Sequence, residues 1–279
     1  MQERPIADQL SDGIRGLLID THYADRLPNR KVRTVLGGDD ELHKQVGADG
    51  VSDDTLAAAK RIRDRLGFAG EGERGMYLCH SFCEIGATRL DSVLDDLRTF
   101  LVANPGAVVI VINQDYVKPE GFVGAVKDAH LEPFVYTGRV DGHWPTLREM
   151  VDSNERVVLL AENRAGGAPW YHLAYDSIAE ETPYAFKKVA QLASADKLDV
   201  SCEPNRGPEG APLFLLNHWI TTDPVPLPSN ATKVNAYEPL LARVRDCQGV
   251  RGHLPNLVAV NFYLEGDVFR VVDSLNGLR

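Results

Sequence analysis

The chain has 279 residues, 44% of them hydrophobic and 25% charged, which is ordinary for a soluble globular protein and long enough for one large domain or two small ones. A formal net charge of -10 argues against a surface built for nucleic-acid phosphates, because such a surface needs a basic patch. No apolar run approaches the roughly 20 residues of a membrane helix, and Met1-Gln2-Glu3-Arg4-Pro5 lacks the apolar centre of an export signal.

In chain order, residues 6–10 read as a helix-turn start and residues 16–22 as the first strand. Residues 53–66 read as a helix ended by Gly67, and residues 76–80 as a second strand. The clearest helix spans 89–103, where Leu90, Val93, Leu94, Leu97, Phe100 and Leu101 form one apolar stripe. Thr88 can cap its start, and Asn104-Pro105 stops it. Further strand-length runs occupy 107–113, 133–136, 156–162, 212–220 and 256–264. Most are near-continuous rather than alternating, as strands buried on both faces are.

Strands alternating with helices imply a parallel sheet with covered faces, either open and doubly wound or closed into a barrel. No Gly-x-Gly-x-x-Gly follows the first strand, which weakens the dinucleotide-binding option. The loops 24–50 and 165–209 are long, as excursions on the active face of a barrel often are. There is no internal repeat and no compositional break, so residues 1–279 read as a single domain. The four cysteines match no zinc or redox spacing. Their even number permits two disulfides, with Cys79–Cys83 and Cys202–Cys247 favoured, or else four buried thiols.

Side chains at the C-terminal strand ends of a parallel barrel converge on one mouth, which nominates Asp20, His22, His80, Gln114, Asp115, Glu162, Arg164, Asn217, His218, Asn261 and Tyr263. Four stretches among these elements occur in a telling order: Gln9-Leu10-Ser11-Asp12-Gly13-Ile14-Arg15-Gly16-Leu17-Leu18-Ile19-Asp20, then Tyr77-Leu78-Cys79-His80-Ser81-Phe82-Cys83-Glu84-Ile85-Gly86, then Phe100 to Pro105, then Val108 to Tyr116. In that order they resemble the X-region of phosphatidylinositol-specific phospholipases C and the wider phospholipase C-like phosphodiesterases. Leu213 to Trp219, Leu254 to Tyr263 and Leu275-Asn276-Gly277 resemble the family's last strands and final turn, so the likeness runs from Gln9 nearly to Arg279.

The resemblance implies an α/β fold, a TIM-type (β/α)8 barrel. About seven of the eight strands are legible. The family's first strand ends in a threonine-histidine motif that carries its first catalytic histidine, and no such motif stands upstream of Gln9. The expectation is therefore a chain without that first strand, and without any signal or anchor before it.

Phosphodiester cleavage wants a general base, a general acid and a cation for the phosphoryl oxygens. His80 matches the family's second catalytic histidine, which protonates the leaving group and then acts as base; Ser81 stands where the family often has glycine. The alternative is a histidine held between two structural cysteines. Asp20 falls where calcium-dependent relatives place a ligating carboxylate, but Leu18 and Gln114 occupy two further acidic positions. A Ca2+ site at Asp20 and Gln114 would thus be weak, and a hydrogen-bonding role for Asp20 stands beside it. His22 lies on the face of Asp20 and could replace a missing proton-transfer group, or only bond to a loop. Arg164 could clamp a phosphate with its fork, or be a solvated loop residue; Tyr263 and His218 are placed as substrate-binding groups.

The function implied is a phosphoric diester hydrolase of lipid metabolism, acting on a phosphoinositide-like or glycerophosphoryl substrate. A glycerophosphodiester phosphodiesterase would need a histidine-arginine pair and a Glu-x-Asp that are not visible, whereas a non-catalytic binding or scaffold domain is motivated by the missing histidine. The expected partners are a phospholipid or small phosphodiester, with peripheral membrane contact, no nucleic acid, and a monomeric state. The cysteine pairs and the family's habits point to the outer side of a membrane or the extracellular space.

Overall fold

The computed structural model describes residues 1–35, 53–80, 82–138, 140, 144–194, 198–222 and 226–278. Ser81, most of the loop expected after the first strand, and Arg279 lie outside them.

The run Leu17-Leu18-Ile19 opens the strand β1 (Gly16–Arg26), which extends beyond the predicted end into a hairpin with β2 (Val32–Thr34). β3 (Glu73–Leu78), β4 (Thr88–Arg89), β5 (Val109–Asp115), β6 (Val157–Ala161) and β7 (His172–Leu173) complete a seven-stranded sheet, ordered β4-β3-β1-β5-β6-β7 with β2 on β1. β1, β5, β6 and β7 are parallel, but β3 runs antiparallel to β1 and β4 antiparallel to β3. The all-parallel expectation is corrected here. Arg26 pairs with Glu73, so the chain that leaves the end of β1 rejoins the sheet at that same end and must run back. An apolar run records burial and not direction, so the sequence pattern could not distinguish the two.

Among the described residues, five α-helices accompany this sheet: α1 (Ile6–Asp12), α2 (Asp53–Arg63), α3 (Leu90–Ala103), α4 (Pro119–Asp128) and α5 (Leu147–Ser153). Leu17, Ile19, Val109, Val111, Val157 and Leu159 bury one sheet face against Leu90, Leu94, Leu97 and Leu101 of α3 and Phe122, Val123 and Val126 of α4. The predicted stripe is the buried face of α3. Thr88 lies in β4 rather than capping α3; Arg89 holds that position without a side-chain cap. At the other end, buried Arg156 donates to the carbonyls of Leu101, Asn104 and Ala107, satisfying groups that a helix end leaves open. α2 stops at Arg63, and a wider turn carries the chain to Phe68 through Gly67 at φ 88°, a conformation that favours glycine. The strand expected at 133–136 is a 3-10 turn (Glu132–Phe134) with a single bridge, Val135 to Val157; Pro133 has no N–H to give a ladder.

Contacts divide the chain into two compact units. One comprises Ile6–Gly138 and Pro145–Leu173 and holds the sheet above. The other comprises Met1–Pro5, Arg139–Trp144 and Ala174–Arg279. Its parallel sheet is ordered β10-β9-β8, from β8 (Ala179–Glu181), β9 (Leu213–His218) and β10 (Leu257–Val260), with helices α6 (Tyr237–Arg251) and α7 (Val268–Leu275). Buried carboxylates here are fully engaged: Glu180 meets Arg251 and His253, while Glu181 accepts from Arg206, Asn205 and Asn217. Both favoured disulfides are present, Cys79–Cys83 with Cα atoms 5.0 Å apart and Cys202–Cys247 with Cα atoms 4.9 Å apart. Among the described residues, no helix is long and apolar enough to cross a membrane.

Candidate active site

Asp20 stands within β1, where its ladder partners are Gln114 of β5 on one side and, beyond the last pair of β3, the Cys79 amide on the other. The Cys79 N–H donates to the Asp20 carbonyl at 3.2 Å, which brings the next residue, His80, over the Asp20 side chain. His80 Nδ1 lies 2.8 Å from Asp20 Oδ2. With Nδ1 turned to the carboxylate, Nε2 is the nitrogen presented for proton transfer. The ring is 70% exposed and the carboxylate 23% exposed, so the pair is open to a substrate. The hydrogen bond that His80 donates to Asp20, aided by the carboxylate's charge, raises the His80 pKa above the ordinary histidine value against the opposing effect of burial.

His22 shares the Asp20 face of β1 but is sealed. It pairs with Tyr77 in the β1–β3 ladder, is 1% exposed, and stacks on Tyr116 with ring centroids 4.3 Å apart. Burial lowers its pKa to about 4, and its Nε2 has no hydrogen-bond partner among the described residues. The structure does not support the proton-transfer role expected for His22, because its ring is buried and stacked on Tyr116. An acid-stability prediction follows. The unfolded chain takes up a proton at the ordinary histidine pKa and the folded chain only near 4, so stability is complete above about pH 6.5 and falls as the pH drops toward 4. His22→Phe keeps the ring stack and should flatten the acid limb of a Tm-against-pH curve; an unchanged limb would exclude His22 as its source.

Asp115 is a brace rather than a reacting group. Its side chain is buried and accepts from the backbone N–H groups of Glu162, Asn163 and Arg164, while burial pushes its pKa up to about 6. The brace fixes the turn after β6 against β5. Arg164 is half-buried and tied back to the chain: its Nη2 donates to the Val117 carbonyl at 3.2 Å, with Nε 3.9 Å from Asp115 Oδ2. Tyr263 and His218 belong to the other unit. His218 is fully buried, with Nε2 on the Val234 carbonyl at 2.8 Å and Nδ1 3.1 Å from Arg243 Nη1. Tyr263 is 2% exposed, its ring edge against Phe269. The structure thus places both side chains in the interior of that unit and not at an open surface.

Calcium fits this place poorly. Asp20 already serves His80, Gln114 adds one amide, and the described residues contain no group of three or more His, Cys, Asp or Glu side chains that could hold a metal. Calcium wants roughly six to eight oxygens.

Sequence reading missed what holds His80. Thr34 of β2 takes the Cys83 N–H on its hydroxyl at 2.8 Å and donates to Glu84 Oε2 at 2.6 Å, while Arg63 of α2 reaches Glu84 Oε1 at 3.3 Å. Nothing in the spacing of Thr34, Arg63 and Glu84 signals this meeting, since only the fold joins them.

Comparison with known proteins bears on the family. Residues 68–276 match the family described as PI-PLC X 1. A PI-PLC X domain-containing protein of Arabidopsis thaliana is 29% identical over 72% of this chain and 49% of its own length. PI-PLC X domain-containing protein 1 of Arthroderma benhamiae is 26% identical over 78% of this chain and 75% of its own. An uncharacterized secreted protein of the same fungus is 26% identical over 73% of this chain and 50% of its own length. The chain thus spans about half the length of two of these relatives. Among solved structures, the phosphatidylinositol-specific phospholipase C of Listeria monocytogenes aligns with all of this chain and 83% of its own, with a TM-score of 0.52 at 15% identity, a likeness of α/β fold. With its matched segment covering most of its length, from the turn before β3 to the last helix, this chain belongs to the PI-PLC X-domain family.

Proposed function

We propose that this chain is a phospholipase C-like phosphoric diester hydrolase, acting on a phosphoinositide-like or glycerophosphoryl substrate with His80 as general acid. The observation that carries the reading is the exposed His80 ring held 2.8 Å from Asp20 at the end of β3. In the first step a substrate hydroxyl forms a new P–O bond, losing its proton to solvent, while the bond to the leaving alkoxide breaks and Nε2 gives that alkoxide its proton; the Asp20 carboxylate stabilises the imidazolium beforehand. In the hydrolytic step water attacks the phosphorus of the resulting ester, the neutral imidazole takes the water's proton and restores the acid, and the P–O bond formed in the first step breaks, its oxygen taking a proton from solvent. Family membership and the fold likeness to the Listeria enzyme support this reading, and they also support the closed eight-stranded barrel as the parent architecture. The two disulfides, and the relative called secreted, support an extracellular place. A monomer touching a lipid surface only peripherally completes the proposal.

A second reading has one observation in its favour. His22, the histidine expected to replace the missing proton-transfer group, is enclosed. A binding module on the same fold would have that character.

A substrate panel separates the two. Wild type should cleave a chromogenic inositol phosphodiester or glycerophosphoryl ester at equal rates with calcium and with chelator, and Asp20→Asn should lower kcat about 10- to 100-fold by removing the charge that holds the imidazolium. No turnover above buffer on any ester would discard the catalytic reading in favour of the binding module.

A further inference from the structure

His80 sits just past the end of β3, yet its ring keeps a 2.8 Å contact with Asp20. Three features define the turn that carries it. The Cys79 N–H is fixed to the Asp20 carbonyl, the Phe82 N–H returns to the His80 carbonyl at 2.7 Å, and Cys79 is bonded to Cys83. The disulfide therefore closes a ring around His80. Both of its cysteines are buried in a small cluster with Ala24 and Tyr77, apart from the main core. Cys83 is the braced end: its N–H is held by the Thr34 hydroxyl, which donates to Glu84, itself met by Arg63.

We propose that the Cys79–Cys83 disulfide is a positioning bond for the catalytic imidazole, tying the turn that presents His80 to the braced Cys83 so that Nδ1 stays on Asp20. This rests on the assignment of His80 as general acid. Its contribution to global stability is small beside that of Cys202–Cys247, because the closed segments differ in sequence separation, 4 against 45, and a short loop restrains the unfolded chain less. The two bonds thus divide their roles, one serving the site and the other the stability of its unit.

The test compares the full chain with Cys79→Ser/Cys83→Ser and with Cys202→Ser/Cys247→Ser, reading kcat, KM, Tm and the imidazole 15N shifts of His80 at fixed pH. For the first pair we expect kcat to fall about 10- to 100-fold with KM nearly unchanged, as a displaced proton donor does. The His80 shifts should move toward those of a free imidazole while Tm changes little. The second pair should lower Tm more and leave both kcat and the His80 shifts as in wild type. Unchanged kcat and unchanged His80 shifts in the first pair would overturn the proposal. If wild type itself cleaves no phosphodiester, the catalytic reading fails while the shifts still decide positioning: moved shifts support it and unmoved shifts reject it. Should the serine pair not fold, phosphine reduction of folded wild type, followed at the same signals, separates the same two outcomes.

Discussion

His80→Ala should lower kcat for phosphodiester cleavage about 10²- to 10⁴-fold, the usual worth of a positioned acid or base. The ring is 70% exposed and its described polar contact is Asp20, so the fold should barely register its loss. An exposed substitution of this kind shifts stability by no more than about 0.5 kcal/mol. The loss should therefore appear in kcat with Tm unchanged. His80→Ala and Asp20→Asn combined should cost little more than His80→Ala alone, because the carboxylate acts through the ring it orients. Full turnover by His80→Ala would move the chemistry to a residue outside the Asp20 face and end the mechanism proposed above.

The second large effect is on stability, in the other unit. Arg243 of α6 is completely buried, and burial lowers its pKa to about 9. It donates to the carbonyls of Asn217 and Ser201 at 2.7 and 2.9 Å and to Ser201 Oγ at 3.0 Å, and it lies 3.1 Å from His218 Nδ1. One side chain thus ties α6 to the end of β9 and to the segment beside Cys202. Arg243→Met fills similar space but leaves several buried acceptors without a donor, each costing about 1 to 3 kcal/mol. Relief from burying the cation offsets part of that sum. The expected net loss is about 3 to 5 kcal/mol, read as a lower urea midpoint at unchanged slope. A loss under about 1 kcal/mol would show that the network holds nothing the apolar core does not already hold.

The two arrangements were not equally legible in the chain. His80 could be singled out because a short apolar run ends on it and an amphipathic helix follows, a local pattern of residue types. The pairing of Cys79 with Cys83 was open to the same kind of reading, being four residues apart. His22 shows the limit of such patterns. Period-two alternation places it correctly on the Asp20 face of β1, yet whether that face is open at residue 22 depends on Tyr116 and Tyr77, which come from other segments. His218 and Tyr263 fail for the same reason: their positions at or beyond strand ends are local facts, their burial is not. Arg243 gave no signal at all, since a lone arginine in a helix is ordinarily solvated and only the packing of α6 against β9 encloses it.

The sequence by itself determined the helix stripe of α3, most of the apolar strands, the likeness to the phospholipase C-like phosphodiesterases and the nomination of Asp20 with His80, since each rests on residues close together in the chain or on their order. The tertiary structure alone decided the reversed direction of β3, the enclosure of His22 and His218, the tying of Arg164 to Val117, and the Thr34–Glu84–Arg63 brace behind the His80 turn. Burial and hydrogen-bond partnership are set by which distant segments meet, and residue spacing along a chain carries no record of that meeting.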